Sequence, residues 1–251
     1  MRLLRYGNDE ISLTDDLTSD IPPYAILSHT WGHDSEEVTF QDVVEKRGKA
    51  KRDGLEYFWV DTCCIDKSNH NELARAINSM FRWYRNATHC YVYLPDVSTR
   101  SISSSGSWET QFSRSRWFTR GWTLQELLAP ASVQFFSVEG DLLGNKVGLV
   151  DEIHDTTKIK ISALQGAPLA RFSVHERMSW SRRRQTTEEE DVAYCLLGIF
   201  DVFIPLIYGE GEANALSRLQ EEIDKRRGMP DSNFRRGPAV QCQKRHRRLI
   251  F

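Results

Sequence analysis

No stretch of this 251-residue chain is apolar for long enough to span a bilayer. The nearest approach, AYCLLGIFDVFIPLIYG at 193–209, is short and interrupted by Asp201 and Pro205. It reads as a buried helix followed by a turn, and stable membrane insertion is not expected. The opening MRLLRYGNDE has no apolar h-region of the kind a secretory signal needs. The five cysteines are an odd number, so a disulfide framework is not suggested either. Together these absences point to a reducing, cytoplasmic setting. Cys63, Cys64 and His70 are not spaced as a structural zinc site, and no second Cys/His pair completes four ligands, so no metal is expected. A Walker motif and a G-x-G-x-x-G turn are both missing, which removes the P-loop and the dinucleotide-binding Rossmann site from consideration. No internal repeat is visible.

What remains is an ordinary globular composition, 40% hydrophobic and 27% charged, with charge spread unevenly. Residues 225–251 hold nine Lys/Arg and one Asp, leaving 24 basic against 34 acidic residues elsewhere. That end also contains Gly228, Pro230, Gly237 and Pro238 and shows no apolar periodicity, so 227–251 reads as a disordered basic tail. KRHRR at 244–248 offers a route to nuclear entry or to nucleic acid, against the plainer reading of a solvated end. No nucleic-acid partner is expected apart from this tail.

The first ~155 residues alternate strand-like and helix-like segments, which argues for parallel β-α units. YAILSHTW after Pro22-Pro23, YFWVDTCCID at 57–66, CYVYLPDV at 90–97 and SVQFFSV at 132–138 supply the strands. EVTFQDVVEKRGKAKRDG reads as a helix with Phe40, Val43 and Val44 on one face. Asn69-x-x-Glu72 reads as a capping box for a helix burying Leu73, Ile77, Met80, Phe81 and Tyr84. The Trp-rich run at 117–129 reads as a further helix stopped by Pro130. Beyond residue 156 the pattern turns helical, with Thr187-x-x-Glu190 as a second capping box and a last helix over about 211–226. The expected organisation is an α/β core at 1–155, a helical annex at 156–226 and the tail at 227–251.

Four segments stand out: YAILSHTWG at 24–32, FWVDTCCID at 58–66, WFTRGWTLQELLAP at 117–130 and EEEDVAYCLLGIFDVFIPLIYGEG at 188–211. In this order they resemble the fungal HET (heterokaryon incompatibility) domain, over most of residues 1–225. HET domains in turn look like distant relatives of TIR domains. The resemblance implies a TIR/flavodoxin-like parallel sheet flanked by helices, with a C-terminal helical annex. It also implies a role in self/non-self recognition and programmed cell death. In TIR domains that cleave NAD the catalytic glutamate lies in a W-x-x-x-E pattern on a helix after a middle strand, and Trp122-Thr-Leu-Gln-Glu126 is similar in pattern and place. The resemblance therefore implies NAD or a related nucleotide as substrate rather than cofactor, a self-associating chain and a nucleotide-binding oligomerisation-type receptor partner.

Ligands of an open parallel sheet sit at the carboxyl ends of its strands, which selects His29, Thr30 and Trp31 after the first strand, Asp61 to Asp66 after the second, and the segment after the third that leads into Glu126. Glu126 and His29 are the candidate catalytic residues. Ser28, Trp31, Asp61, Asp66, Trp117, Arg120 and Trp122 are the candidates for binding substrate, the tryptophans by stacking and Arg120 at a pyrophosphate. Each has a plain structural alternative. Thr123-x-x-Glu126 is itself a capping-box pattern, a histidine at a strand end usually bonds a carbonyl or carboxylate, and Asp61 or Asp66 can cap a turn or orient His29 or Arg120. Cys64 as a nucleophile would need an activating base, which nothing local supplies. Arg177 and Asp191 suggest an internal ion pair in the annex. If the acid is not catalytic, the same resemblance is compatible with a non-enzymatic death-signalling module that works by homotypic assembly.

Overall fold

A computed structural model describes residues 1–7, 10–30, 53–100 and 107–228. The helix expected around Phe40, Val43 and Val44, and the tail from 229 onward, lie outside the described residues, as does Trp31.

Strand β3 (Tyr24–Ser28) is buried along its whole length, because it lies in the middle of a sheet covered on both faces. Its neighbours β4 (Tyr57–Trp59) and β5 (His89–Tyr93) run parallel to it, and β6 (Val133–Phe136) runs parallel to β5. Counted in chain order, these four strands lie 2-1-3-4, the flavodoxin-like order. The connections from β3 and from β4 lead to opposite sides of β3, so the switch point falls between β3 and β5.

Both edges depart from the expected parallel pattern. An N-terminal hairpin, β1 (Leu4–Gly7) and β2 (Glu10–Leu13), is antiparallel and joins the sheet by pairing β1 antiparallel to β4. On the other side β7 (Leu142–Asn145) pairs antiparallel to β6. These edge strands are four residues long and largely exposed or half-buried, so they carry no continuous apolar run to mark them in the sequence. The second central strand is also shorter than expected. It ends at Trp59, and Asp61–Cys64 coils into a helical turn, α1.

Helix α2 (His70–Asn86) starts where expected: the Asn69 side chain accepts the backbone N–H groups of Asn71 and Glu72. Glu72 does not close the box, pairing instead with Arg2 and accepting the Asp66 N–H. Removing the cap oxygen alone, Asn69→Ala, should lower stability by about 1 kcal/mol, seen as a smaller urea midpoint with an unchanged slope. The helix buries Ile77, Met80, Trp83 and Tyr84, and the rings of Trp59 and Trp83 meet edge to face at 5.6 Å.

Helices α3 (Trp108–Arg114) and α4 (Thr123–Leu128) lie between β5 and β6, and after β7 come α5 (Val150–Thr157), α6 (Ile161–Leu164), α7 (Val174–Ser179), α8 (Asp191–Tyr194), α9 (Leu197–Phe200) and α10 (Glu212–Gly228). The buried cluster is continuous from the sheet into this annex. The single helix expected after Thr187 is two short ones, and Thr187 does not cap it. Glu190 instead turns its carboxylate back to accept the N–H groups of Gly209 and Gly211, holding the turn before α10. Among the described residues no helix is long and apolar enough to cross a membrane.

Candidate functional site

The Trp-rich run is not one helix. After α3 (Trp108–Arg114) it forms a 3-10 turn over Arg116–Thr119, breaks at Arg120-Gly121, and resumes as α4 (Thr123–Leu128). The break is filled by the annex: the Gly121 N–H donates to the Gln185 carbonyl at 2.8 Å and the Gln185 N–H to the Thr119 carbonyl at 2.6 Å. Gly121 permits this crossing, since a Cβ there would stand 2.5 Å from Thr186 Cγ2. The strap at 184–186 thus lies across the start of α4.

Helix α4 carries Glu126 to the carboxyl end of β3, beside the switch point. Ser28, the last residue of β3, donates its hydroxyl to Glu126 Oε2 and accepts Trp117 Nε1–H at 2.7 Å. The Tyr84 hydroxyl of α2 lies beside the same carboxyl group and donates to the Leu27 carbonyl at 3.4 Å. Glu126 is only 7% exposed, and Ser28 and Trp117 are buried. Burial pushes the Glu126 carboxyl up to about 8, and the negative charge of Asp61 adds to this. The hydrogen bonds from Ser28 and Tyr84 and the positive charge of Arg184 act the other way. The capping-box alternative fails here, because the Thr123 hydroxyl donates to the Trp117 and Arg120 carbonyls and Glu126 faces the sheet.

Ser28, Trp117 and Glu126 are therefore brought together, and Asp61 and His29 lie at the same end of the sheet. His29 is buried with Nδ1 4.0 Å from Asp61 Oδ1 at the start of α1. Trp117 is fully buried, with Phe118 and Phe135 edge-on to its ring, so its contribution is the indole N–H rather than a stacking face. Trp122 points to the annex, donating Nε1–H to Asp191 at 2.8 Å. Arg120 reaches Thr187, and exposed Asp66 caps the turn at Ser68. Asp191, engaged by Trp122 and Tyr208, does not pair with Arg177, whose guanidinium donates to the Ile199 carbonyl and lies over Phe200.

Two contributors were not singled out for the site. Tyr84 was read only as a core position, although its i+4 spacing from Met80 does put it on the inward face. Arg184 sits in a run of arginines, SRRRQ, with nothing to distinguish it. Its guanidinium donates to the Arg120 carbonyl at 2.9 Å and to the Thr123 hydroxyl at 2.7 Å, while Nη2 is buried without a hydrogen-bond partner. Cysteine chemistry has little support: Cys64 is 3% exposed and burial pushes its thiol up to about 12. Among the described residues no three His, Cys, Asp or Glu side chains gather to hold a metal ion.

The molecule is thus an α/β protein with a flavodoxin-like strand order and a buried acid at the switch point. Residues 24–105 match the family model described as Heterokaryon incompatibility protein (HET). The chain is also 56% identical over 243 residues, 90% of its length, to Vegetative incompatibility protein HET-E-1 of Podospora anserina. It belongs to the HET family. The match takes in 18% of that relative's own length, so the chain corresponds to a small part of it. No solved structure matches.

Proposed function

We propose that this HET domain serves in heterokaryon incompatibility, the fungal self/non-self recognition that ends in programmed cell death, and that it does so as a TIR-like NAD glycohydrolase. The observation that carries the chemical reading is the buried Glu126 carboxyl at the end of β3, held by the Ser28 hydroxyl. In the reaction the bond between the nicotinamide nitrogen and the ribose anomeric carbon breaks, and its electron pair leaves with nicotinamide, which becomes neutral. Water adds to the anomeric carbon, giving ADP-ribose and releasing a proton to solvent. The leaving group needs no acid, whereas the positive charge gathering on the ribose needs a fixed anion. The cationic nicotinamide ring itself favours the ionised form of Glu126 on binding. Asp61 and His29 lie at the same end of the sheet as this acid, and self-association, with or without a nucleotide-binding oligomerisation-type partner, completes the pocket in the cytoplasm.

A second reading has its own observation. Glu126 is already engaged inside the fold by the Ser28 hydroxyl, as a structural acid would be. The domain would then signal by homotypic assembly without chemistry. Nicotinamide release by the concentrated protein, wild type beside Glu126→Gln, separates the two. Product that disappears in the folded variant supports the glycohydrolase. Activity equal in both removes Glu126 from the chemistry, and none in either, even when the protein is oligomerised, favours the assembly module.

A further inference from the structure

A cavity of about 950 Å³ opens between α2, the end of α4, the turn after β7 and the annex, and its lining does not include Ser28, His29 or Glu126. Its apolar wall is formed by Leu128, Phe172, Ile199 and Phe200. Five cations face it, Arg85, Lys146, Arg177, Arg226 and Arg227, against one carboxylate, Asp201, which is paired with Arg226. Arg177 is held below the usual guanidinium range by burial and by the positive charges of Arg226 and Arg227, so like charges crowd the same space. Its Nε is buried without a hydrogen-bond partner, and its guanidinium lies over the Phe200 ring at the cavity wall. Lys146 is 5% exposed and spends two N–H groups on the Leu127 and Pro130 carbonyls, at 3.2 and 2.6 Å, leaving its third donor.

We propose that this cavity binds a phosphate-bearing small molecule, with the phosphate on the Arg177, Arg226 and Arg227 guanidinium groups and an apolar or planar body against Leu128, Phe172 and Phe200. Guanidinium groups match phosphate oxygens in pairs, and the volume suits a nucleotide-sized or short lipid-phosphate ligand. Because Lys146 bonds the Leu127 carbonyl of α4 and the Pro130 carbonyl just beyond it, an occupant that draws on it also bears on the helix that carries Glu126.

The test is titration calorimetry of the full chain at physiological salt with inorganic pyrophosphate, ADP and lysophosphatidic acid. Saturable binding tighter than about 1 mM is expected for at least one probe. A preference for ADP assigns a nucleotide and a preference for lysophosphatidic acid a lipid phosphate. Arg85→Gln/Arg227→Gln, both at exposed positions, should weaken binding at least about tenfold while keeping the melting temperature. Asp201→Asn removes the competing carboxylate at a left-handed position that asparagine tolerates, and should tighten binding by about threefold or more. Absence of saturable binding by all three probes overturns the proposal, and so does binding that ignores both variants.

Discussion

Glu126→Gln is expected to make the protein more stable at pH 9 than the wild type, while removing nicotinamide release. The two effects share one cause. Burial holds the carboxyl at about 8 in the folded chain, against an ordinary value of 4.5. Below pH 4.5 the group is neutral in both folded and unfolded chains and contributes nothing to pH dependence. As the pH rises from 4.5 to about 8, the unfolded chain loses this proton and the folded chain keeps it, so the folded state becomes progressively less favoured. Above about 8 the loss levels off. Each pH unit in that window is worth about 1.4 kcal/mol, so the full effect is on the order of 3 to 5 kcal/mol. Glutamine keeps the shape and an acceptor for the Ser28 hydroxyl but cannot ionise. Urea unfolding of the two proteins from pH 4 to 9 should therefore show a gap that opens with rising pH in favour of the variant. A pH-independent gap would mean that Glu126 is not held protonated by burial. On activity, losing the fixed anion should cost a hundredfold or more. A substitution that raises stability and removes turnover marks a group kept for chemistry rather than for folding.

Gly198→Ala should be the most damaging small change in the annex. Gly198 lies in α9 against Phe81 of α2, and a Cβ there would fall within the van der Waals envelope of Phe81 Cβ and Cγ and 2.7 Å from Cδ2. The clash begins at the root of the phenylalanine, so a rotamer change cannot relieve it and the helices themselves must separate. Overpacking of this kind costs about 3 kcal/mol. The expected readout is a urea midpoint well below that of the wild type. Phe81 and Gly198 both line the cationic cavity, so the variant should also weaken any pyrophosphate binding. Phe81→Ala combined with Gly198→Ala should recover little of the lost stability, because alanine keeps the Cβ that the added methyl meets first. An unchanged midpoint for Gly198→Ala would show that α9 does not pack on α2 this closely.

The central sheet was legible because its strands are buried on both faces, so their apolar runs announce themselves: YAILS, CYVY and VQFF each fall within the expected segment. The edge strands were not, since a four-residue strand with one solvated face has the composition of a loop. The two capping signals also fared differently. The Asn69 side chain accepts the first-turn N–H groups of α2, whereas the Thr187 hydroxyl accepts from Arg120 and Glu190 is drawn to two glycine N–H groups 19 and 21 residues away. A capping motif states what a side chain can do locally, and tertiary competitors decide whether it does so.

By itself the sequence determined the α/β class, the family and the place of Glu126 in the order of elements, because each of these rests on patterns short enough to act within one segment. Only the tertiary structure decided what surrounds that acid. Ser28 reaches it across 98 residues of chain, Tyr84 arrives from α2, and Arg184 comes to Thr123 across 61 residues when the annex strap crosses at Gly121. The ionisation of Glu126 follows from that gathering, since burial is a property of the packed molecule and not of any stretch of its sequence.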